Sequence, residues 1–356
     1  MNKIKSRNVR EVVISLDYKK TLNEKLIKFN NYNNIYILYD FNLQNNSFIV
    51  FLKKTLKGKY IPIKLKNELT TDFVDNLTNK IKSSRIKPDL LIGVGGGSTL
   101  DCTKAISVLL TNNKKAENYQ GWDLLEKKGV FSIGIPSLSG TGSESSRTCV
   151  LLNTKKNLKL GFNSKFTCFN KVFLFPQILS TVPKKLLFIT ASDAYFHSFE
   201  LLNGKKRNIY ADKLAKKSLV LIKKFLKEKK YKNIENLKKL MIASFFAGEA
   251  ISFSMVGLIH PFSAALSSIF RIPHCLSNCI VFRGLKSYYI KEYNFLFNCF
   301  NHQKITIENI IKINNKKVEK LYLSTMKHEK PLKNHLGKNF KKKLNYDIVY
   351  NIFKSI

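Results

Sequence analysis

Short apolar runs alternate with polar stretches through the first half of the chain. Four runs, at 34–40, 59–66, 88–97 and 130–136, have the length and the branched and aromatic content that are typical of buried strands. The polar stretches between them, such as 72–84, have the spacing of amphipathic helices. Strands that alternate with helices in this way predict βαβ units on a parallel sheet.

The pattern changes after about residue 178, where the strand signals disappear. Helical periodicity then covers 212–228 and 236–252, and a long apolar segment follows at 255–282. The second half is therefore predicted to be all-helical.

A chain of 356 residues is long enough for two domains with one core each. We predict a Rossmann-like α/β domain over 1–178 and an all-α domain over 179–356. The connection between them, near Pro176 to Pro183, is predicted to be short and tightly packed.

Two segments rich in glycine and hydroxyl groups directly follow predicted strands. The first contains Gly95, Gly96, Gly97 and Ser98, and the second runs over 135–146. Glycines let the backbone approach a pyrophosphate closely, and the free N–H groups at a helix start attract its negative charge. Either segment alone could be only a tight structural turn. Together, at the carboxyl ends of parallel strands, they are typical of the crevice in which open α/β sheets bind nucleotides.

Asp40 ends the first predicted strand. A carboxylate at this place can accept a hydrogen bond from a ribose hydroxyl, and it repels a 2′-phosphate. The sequence therefore predicts NAD rather than NADP as the dinucleotide.

The helical half supplies candidate metal ligands, beginning with the stretch TASDAYFHSFE. Asp193 and His197 are four residues apart, so in a helix they project from one face, either as a hydrogen-bonded pair or as ligands of one ion. His260 and His274 lie in the apolar segment, and Pro273 predicts that a helix ends before it and that a loop presents His274. Three imidazoles and one carboxylate on apolar helices suit Fe(II) or Zn(II).

The net charge of +38 favours an anionic partner, and nucleic acid is one alternative. The lysines, however, are spread along the whole chain among many Asn and Ile residues, and no nucleic-acid-binding module is recognisable. We therefore expect no specific nucleic acid, but a preference for anionic small substrates.

The cysteines and the apolar runs indicate the cellular compartment in which the protein is expected. Six cysteines are scattered without a CxxC pair, so we expect reduced thiols, with a metal site at Cys275 and Cys279 as the alternative. No apolar run reaches the length of a membrane span, and the start of the chain has no signal-peptide core. A cytoplasmic protein without membrane insertion is expected.

The order of the motifs resembles that of the iron-dependent (group III) alcohol dehydrogenases, relatives of glycerol dehydrogenase and dehydroquinate synthase. The resemblance covers nearly the whole chain and rests on GGGSTLDCTK (95–104), PSLSGTGSE (136–144), DAYFH (193–197), GLIH (257–260) and PHCLSN (273–278). It implies a dehydroquinate synthase-like fold and a homodimer.

The resemblance also implies roles for individual residues. The implied metal ligands are Asp193, His197, His260 and His274. The residues implied to line the dinucleotide are Gly95, Gly96, Gly97, Ser98, Asp101, Ser137, Thr141 and Lys159.

Two positions depart from the family pattern. Many members carry a proton-relaying histidine four residues after the third ligand, where this chain has Ala264, and a glycine where it has Cys275. The route of the proton is therefore open.

Within the family, longer stretches are similar to the 3-deoxy-D-manno-octulosonate (Kdo) 8-oxidases. They are ENYQGWDL (117–124), PSLSGTGSESSRT (136–148), HPFSAALS (260–267), PHCLSNC (273–279) and KHEKPL (327–332). The similarity implies oxidation of the C8 primary alcohol of Kdo to the aldehyde, for 8-amino-Kdo in lipopolysaccharide, with a PLP-dependent aminotransferase as functional partner. Whether oxygen or NAD accepts the electrons stays open.

Other functions remain as alternatives. One is a generic NAD-dependent alcohol or diol dehydrogenase, and another is a lyase of the dehydroquinate synthase type. A sugar acid such as Kdo needs a cationic anchor for its carboxylate, and Arg147, Arg207 and Arg283 are the candidates in or near the motifs.

Overall fold

The computed structural model describes residues 2–29, 32–308, 311 and 313–356. The strands are β1 (Asn2–Lys3), β2 (Glu11–Ile14), β3 (Ile35–Asp40), β4 (Lys59–Ile63), β5 (Leu90–Gly95), β6 (Gly121–Trp122), β7 (Phe131–Pro136), β8 (Thr148–Asn153), β9 (Leu158–Asn163) and β10 (Lys171–Leu174). The helices are α1 (Tyr18–Phe29), α2 (Ser47–Thr55), α3 (Thr71–Lys82), α4 (Gly97–Leu109), α5 (Lys184–Asn203), α6 (Ile209–Lys227), α7 (Ile234–Ile251), α8 (Ile259–Phe270), α9 (His274–Gly284), α10 (Ile290–His302), α11 (Asn315–Met326), α12 (Glu329–Leu336), α13 (Phe340–Lys343) and α14 (Tyr346–Lys354).

Seven strands form the main sheet, in the order β1-β2-β10-β7-β5-β3-β4. Its neighbouring strands are parallel except for the short β1, which is antiparallel to β2. The interior strand β5 is buried along its whole length, because helices cover both faces of the sheet. The predicted parallel α/β sheet is confirmed, and β3, β4, β5 and β7 correspond to the four predicted strands.

A second sheet, which the sequence analysis did not predict, contains β6, β9 and β8. Strands β8 and β9 form an antiparallel hairpin, whose turn includes Asn157 with a φ of 45°. Asparagine adopts this left-handed conformation more readily than most residues. The hairpin positions Lys159 against helix α8, where its Nζ donates to the hydroxyl of Ser267 at 3.0 Å.

The second half is helical, as predicted, and strands end with β10 among the described residues. The connection is a 3-10 helix over Pro176–Thr181 with Ile178 and Leu179 buried, in agreement with the predicted packed connection. Two apolar clusters lie within the α/β half, and the division into two domains stays a prediction. The largest apolar cluster joins Val12 of β2 and Leu174 of β10 to buried residues of the helices, among them Leu187 of α5.

The prediction for the segment around Pro273 is half right. Helix α8 does end before this proline, with Arg271 in the left-handed conformation at its C-cap. His274, however, is the first residue of α9 and not part of a loop, with Pro273 at the N-cap. Proline breaks the first helix but is well tolerated at the start of the next one.

All six cysteines are free thiols, as expected. Among the described residues, no helix combines the length and the apolar character that a membrane span requires.

Candidate active site

Helix α5 forms the buried floor of the site. Asp193, His197 and Glu200 follow one another at spacings of four and three residues, so all three project from one face of the helix. Their exposed fractions are between 0% and 4%. Such polar groups are stable in an apolar helix only if they pair with one another or bind an ion.

Two further helices bring the other imidazoles to this face. His260 lies in the first turn of α8, and His274 opens α9. Nε2 of His260 is 3.4 Å from Oδ1 of Asp193, and Nε2 of His274 is 3.8 Å from Oδ2. One ligand atom from each of the three residues lies within 4.8 Å of the others, which is close enough to surround one cation.

The fourth predicted ligand lies beside this group rather than within it. Nε2 of His197 is 3.6 Å from Oδ1 of Asp193, and its ring stacks on that of His260 with centroids 4.6 Å apart. The structure therefore brings all four predicted residues together, and it arranges Asp193, His260 and His274 as the tightest set.

Partner groups hold the cluster in this orientation. Oε2 of Glu200 accepts a hydrogen bond from Nδ1 of His260 at 2.5 Å, and Oε1 accepts one from the backbone N–H of Ile259 at 2.6 Å. The amide of Asn278 donates to Oδ1 of Asp193 at 2.8 Å. Metal-binding histidines usually have such a carboxylate partner on the far nitrogen.

The protonation states suit a cation. Burial lowers the pKa of His197 to about 4 and the pKa of His274 to about 3, so both rings are neutral at pH 7. Burial of Asp193 opposes its ionisation, but the surrounding imidazoles outweigh burial and keep its pKa below the ordinary value. A neutral imidazole and an ionised carboxylate are the forms that bind metals.

His260 differs from the other two rings. Burial lowers its pKa, but Glu200 and Asp193 outweigh burial and raise the pKa of His260 to about 9. Without a cation the ring compensates the two carboxylates by holding a second proton. Its Nε2 has no hydrogen-bond partner among the described residues, which fits a place where a metal ion replaces that proton.

Cys275 stands at the edge of this cluster. Its Sγ is 3.6 Å from Oδ2 of Asp193, and burial raises the pKa of this thiol well above its ordinary value. The side chain is therefore a neutral thiol that narrows the site where the family pattern has glycine.

The two glycine-rich segments meet at the carboxyl edge of the sheet, as predicted. Gly96 is the N-cap of α4 and has no side chain that caps the N–H groups of the first turn. A Cβ on Gly96 would lie 2.9 Å from Leu138, and one on Gly97 would lie 2.8 Å from Thr141. Only glycine leaves a cradle between these segments, which fits a pyrophosphate.

The second segment also joins the dinucleotide crevice to the metal cluster. Gly140 lies so close to helix α5 that a Cβ on it would be 1.7 Å from the carbonyl oxygen of Thr190. Thr190 precedes Asp193 by less than one helical turn. The crevice and the ligand cluster are therefore adjacent.

The other residues predicted to bind the dinucleotide occupy different environments. Ser98 is exposed beside the cradle, and the backbone N–H of Ser137 donates to Gly95 at 2.9 Å. Asp40 lies at the end of β3, where its Oδ1 accepts from the backbone and side chain of Asn42.

Asp101 and Lys159 are both engaged with other residues. Asp101 accepts from Ser143 at 2.5 Å and from the backbone of Val150 at 2.9 Å, so it links α4 to the second segment. Lys159 forms a buried ion pair with Glu68, at 2.6 Å. Their contacts with a dinucleotide stay predictions.

The three candidate arginines are not gathered around the metal cluster. Arg147 pairs with Asp123, and Arg207 pairs with Asp212 at the surface. Arg283 lies in the last turn of α9, nine residues after His274, which is about 13 Å along the helix axis. Their role as substrate anchors stays a prediction.

Sequence reasoning assigned no role to several residues that support the site. Glu200 could have been found, because it follows His197 by three residues and shares its helix face. Glu68 and Tyr289 could not, because their contacts with Lys159 and Glu200 join segments far apart in the sequence.

Comparison with known proteins places the chain in a family. Residues 11–176 match the model of iron-containing alcohol dehydrogenases, and residues 188–307 match the C-terminal model of the Fe-containing alcohol dehydrogenase family. The chain therefore belongs to the iron-containing alcohol dehydrogenase family.

Three similar proteins show the breadth of this family. The sulfoacetaldehyde reductase of Bilophila wadsworthia is 32% identical over 213 residues, which are 59% of this chain and 54% of that protein. The structure of a 1,3-propanediol oxidoreductase superposes with a TM-score of 0.81 at 18% identity, covering 100% of this chain and 99% of the other. That of the sulfoacetaldehyde reductase from Bifidobacterium kashiwanohense, in complex with NAD+, gives 0.79 at 16% identity, covering 99% and 98%.

These similarities differ in what they cover. The sequence matches span about half the length of the curated relatives. The structural superpositions extend over the whole chain and show the fold, which is the dehydroquinate synthase-like fold of this family.

Proposed function

We propose that the protein is a metal- and NAD-dependent oxidoreductase that interconverts a primary alcohol and its aldehyde. The observation that carries this proposal is the buried cluster of Asp193, His260 and His274, which lies next to the glycine-rich crevice. Family membership supports it, as do the relatives, which are named as alcohol dehydrogenases and aldehyde reductases.

The chain's own residues divide the work of the site. Asp193, His197, His260 and His274 would hold the metal, either iron or zinc, and the cradle at Gly96 and Gly97 would hold the pyrophosphate of NAD. A divalent metal at such a place supplies Lewis acidity, which lowers the pKa of an alcohol hydroxyl. NAD supplies the hydride acceptor.

Glu200 and the buried helices prepare the site for this chemistry. The Glu200 carboxylate accepts from Nδ1 of His260, so that Nε2, which faces Asp193, is the atom that would bind the metal. The apolar surroundings of α5 exclude water, which strengthens every charge interaction in the site. Ala264 cannot relay a proton, so the hydroxyl proton must leave by a path other than the family's usual histidine.

The specific substrate that we propose is Kdo, oxidised at its C8 hydroxyl for 8-amino-Kdo in lipopolysaccharide. The support is the set of long stretches similar to the Kdo 8-oxidases, at 117–124, 136–148, 260–267, 273–279 and 327–332. The 32% identical relative acts on sulfoacetaldehyde, so an acidic group on the substrate has a precedent in this family.

A generic alcohol or diol dehydrogenase is the second candidate. It is favoured by the similarity to 1,3-propanediol dehydrogenases, which are 26% and 27% identical over about half of their length. The relatives named above are dehydrogenases, oxidoreductases or reductases, and this favours redox chemistry over the lyase reaction of the dehydroquinate synthase type.

The test compares Kdo with propane-1,3-diol on purified protein of measured metal content. Aldehyde formation, oxygen uptake and NADH absorbance are followed with and without oxygen. Conversion of Kdo, with either acceptor, supports the Kdo proposal. NADH formation from the diol without any reaction of Kdo would withdraw Kdo and keep the dehydrogenase, whereas no reaction of either alcohol would contradict the proposed class of reaction.

A further inference from the structure

A buried lysine joins helix α4 to the chain that follows β7. Lys104 is 1% exposed. Its Nζ donates to the backbone carbonyl oxygens of Ser143 at 2.9 Å, Ser146 at 3.1 Å and Thr148 at 2.5 Å. A lysine offers three N–H donors, and these carbonyls use all of them. The ammonium group therefore holds the backbone of another segment, and no N–H is left for a ligand.

The held segment is one wall of the crevice that is predicted to bind the dinucleotide. Gly97, at the start of α4, lies on the opposite wall, and a Cβ on it would be 2.8 Å from Oγ1 of Thr141. The same Oγ1 accepts a hydrogen bond from the backbone N–H of Ser143, at 3.3 Å. Lys104 is thus connected to Thr141 through Ser143, and the distance between the two walls depends on this connection.

Asp101 strengthens the connection from the preceding turn of α4. Its carboxylate accepts from the hydroxyl of Ser143 at 2.5 Å, while Lys104 binds the carbonyl oxygen of the same serine. Carbonyl oxygens that converge on one point repel one another, and a cation between them removes that repulsion. A neutral side chain of the same length cannot do so. The charge of Lys104, and not only its length, keeps the three carbonyl groups together.

The far side of the segment is attached to the helical half by separate contacts. The backbone N–H of Gly140 donates to the hydroxyl of Ser244 at 2.9 Å, and the hydroxyl of Ser145 donates to the carbonyl oxygen of Phe245 at 2.6 Å. Both partners lie on α7. Loss of the Lys104 contacts would therefore leave the segment attached to α7 and loosen it only from α4, which carries the other wall.

We propose that Lys104 is a positioning residue for NAD. Its ammonium group acts as a cation built into the fold, which holds Ser143, Ser146 and Thr148 at the distance from α4 that the pyrophosphate cradle requires. The inference rests on the proposed use of NAD. The candidate metal ligands lie on α5, α8 and α9, so metal binding should not depend on this cation.

The test removes the cation and then supplies it from solution. In Lys104→Ala the calorimetric affinity for NAD is expected to fall about tenfold or more, because hydrogen bonds to a charged group are lost. The n-propylammonium ion has the atoms that this substitution deletes. It should restore most of the affinity, whereas sodium chloride at the same concentration should not. Lys104→Met keeps the length of the side chain without its charge, and we expect the same loss without rescue.

Thr103→Val is the matched control. Thr103 is the neighbouring buried residue of α4, and its hydroxyl donates within the helix to the carbonyl oxygen of Thr99, at 2.9 Å. The substitution removes a buried hydroxyl but leaves the contacts of 143–148 in place, so NAD affinity should be unchanged. Metal affinity is measured on every variant, and we expect the wild-type value.

A purely structural lysine predicts a less stable protein whose folded form binds NAD as tightly as before. Unchanged NAD affinity in Lys104→Ala and Lys104→Met would overturn the proposal. A lost affinity that n-propylammonium does not restore, or a metal affinity that falls in parallel, would overturn it as well. If neither variant folds without the amine, the lysine serves the fold and the proposal is wrong.

Failure of the proposed function gives a different result. A wild-type protein that binds metal but not NAD contradicts the proposed cofactor, and the positioning role is withdrawn with it. A wild-type protein that binds NAD, with variants that bind it equally well, keeps the proposed function and refutes this inference alone.

Discussion

The carboxylate of Glu200 lies 2.5 Å from Nδ1 of His260, on the opposite side of the imidazole from Asp193. Tyr289 supports this arrangement, since its hydroxyl donates to Oε1 of Glu200 at 3.2 Å and accepts from the backbone of Leu258. A bulky residue at Gly257 would collide with both groups, because a Cβ there would be 2.9 Å from each. The orientation of one candidate ligand is therefore fixed by several segments at once.

We expect Glu200→Gln to weaken metal binding by about 10–100-fold, because the histidine loses the partner that fixes its tautomer and raises its basicity. The measurement is competition with a chelator on the folded protein. Glu235→Gln, on the exposed first turn of α7, is the control. Unchanged metal affinity in Glu200→Gln would show that the negative charge of Glu200 does not contribute to metal binding.

The variant His197→Ala tests whether the cluster binds with four ligands or with three. In the family pattern His197 is a ligand, and we expect its removal to eliminate bound metal and activity together. His274→Ala is the comparison, because His274 belongs to the tightest set of ligand atoms. Metal content is measured by elemental analysis. A His197→Ala protein with full metal content and turnover would leave Asp193, His260 and His274 as the complete set.

Asp40 is predicted to exclude NADP by repulsion of the 2′-phosphate. The Asp40→Ser variant keeps a side-chain oxygen that can accept from Asn42, as Asp40 does, and it removes the charge. We expect the affinity for NADP to rise by at least about tenfold, measured by fluorescence titration, with NAD affinity changed less. If NADP still fails to bind, another group must exclude it.

The parts of the site that were visible in the sequence are those set by local spacing. The pair Asp193 and His197 shares a helix face because the two are four residues apart, and Gly96 follows a strand that was itself predictable. The contact of Lys159 with Glu68 could not be predicted from the sequence, because 91 residues separate the two. Only the packing of the sheet, the hairpin and α8 brings them together.

The fold was predictable to a similar extent. The run that became β5 has no polar side chain, and the run that became β3 is apolar or aromatic up to Asp40. The hairpin of β8 and β9 mixes polar and apolar positions and gave no strand signal. Pro273 correctly predicted the end of α8. It did not predict that α9 starts directly after it, with His274.

Substitutions at two glycines are expected to affect different properties: Gly140→Ala the stability of the fold, and Gly96→Ala the binding of the dinucleotide. Gly140→Ala places a Cβ against the backbone of α5, which cannot move away, and we expect a loss of about 3 kcal/mol in the free energy of unfolding. In Gly96→Ala the Cβ meets only the flexible end of Leu138, so stability should change little while NAD affinity falls. Denaturant unfolding and NAD titration of both variants check this. Equal stability losses would mean that both glycines serve the fold alone.

Glu144 gives the protein a pH-dependent stability near neutrality. Burial raises the pKa of Glu144 to about 7, the Ser244 hydroxyl and the Lys104 cation lower it in part, and Asp101 raises it further. The folded state thus binds a proton that the unfolded state, with the ordinary pKa of 4.5, has already released. The stabilisation is complete below the unfolded pKa and is lost as the pH rises through about 7. We expect the free energy of unfolding to fall by about 3 kcal/mol over this window.

Glu144→Gln provides the control for this prediction, because glutamine has nearly the same shape and can still accept from the Ser244 hydroxyl, 3.0 Å away in the native protein. Urea unfolding between pH 4 and 8 should therefore show a weaker pH dependence in the variant than in the native protein. The metal ligands also titrate, so both proteins must be compared at the same metal content. If the two pH profiles run in parallel, Glu144 is not the group that titrates, and its carboxyl group must be ionised in the folded state throughout this range.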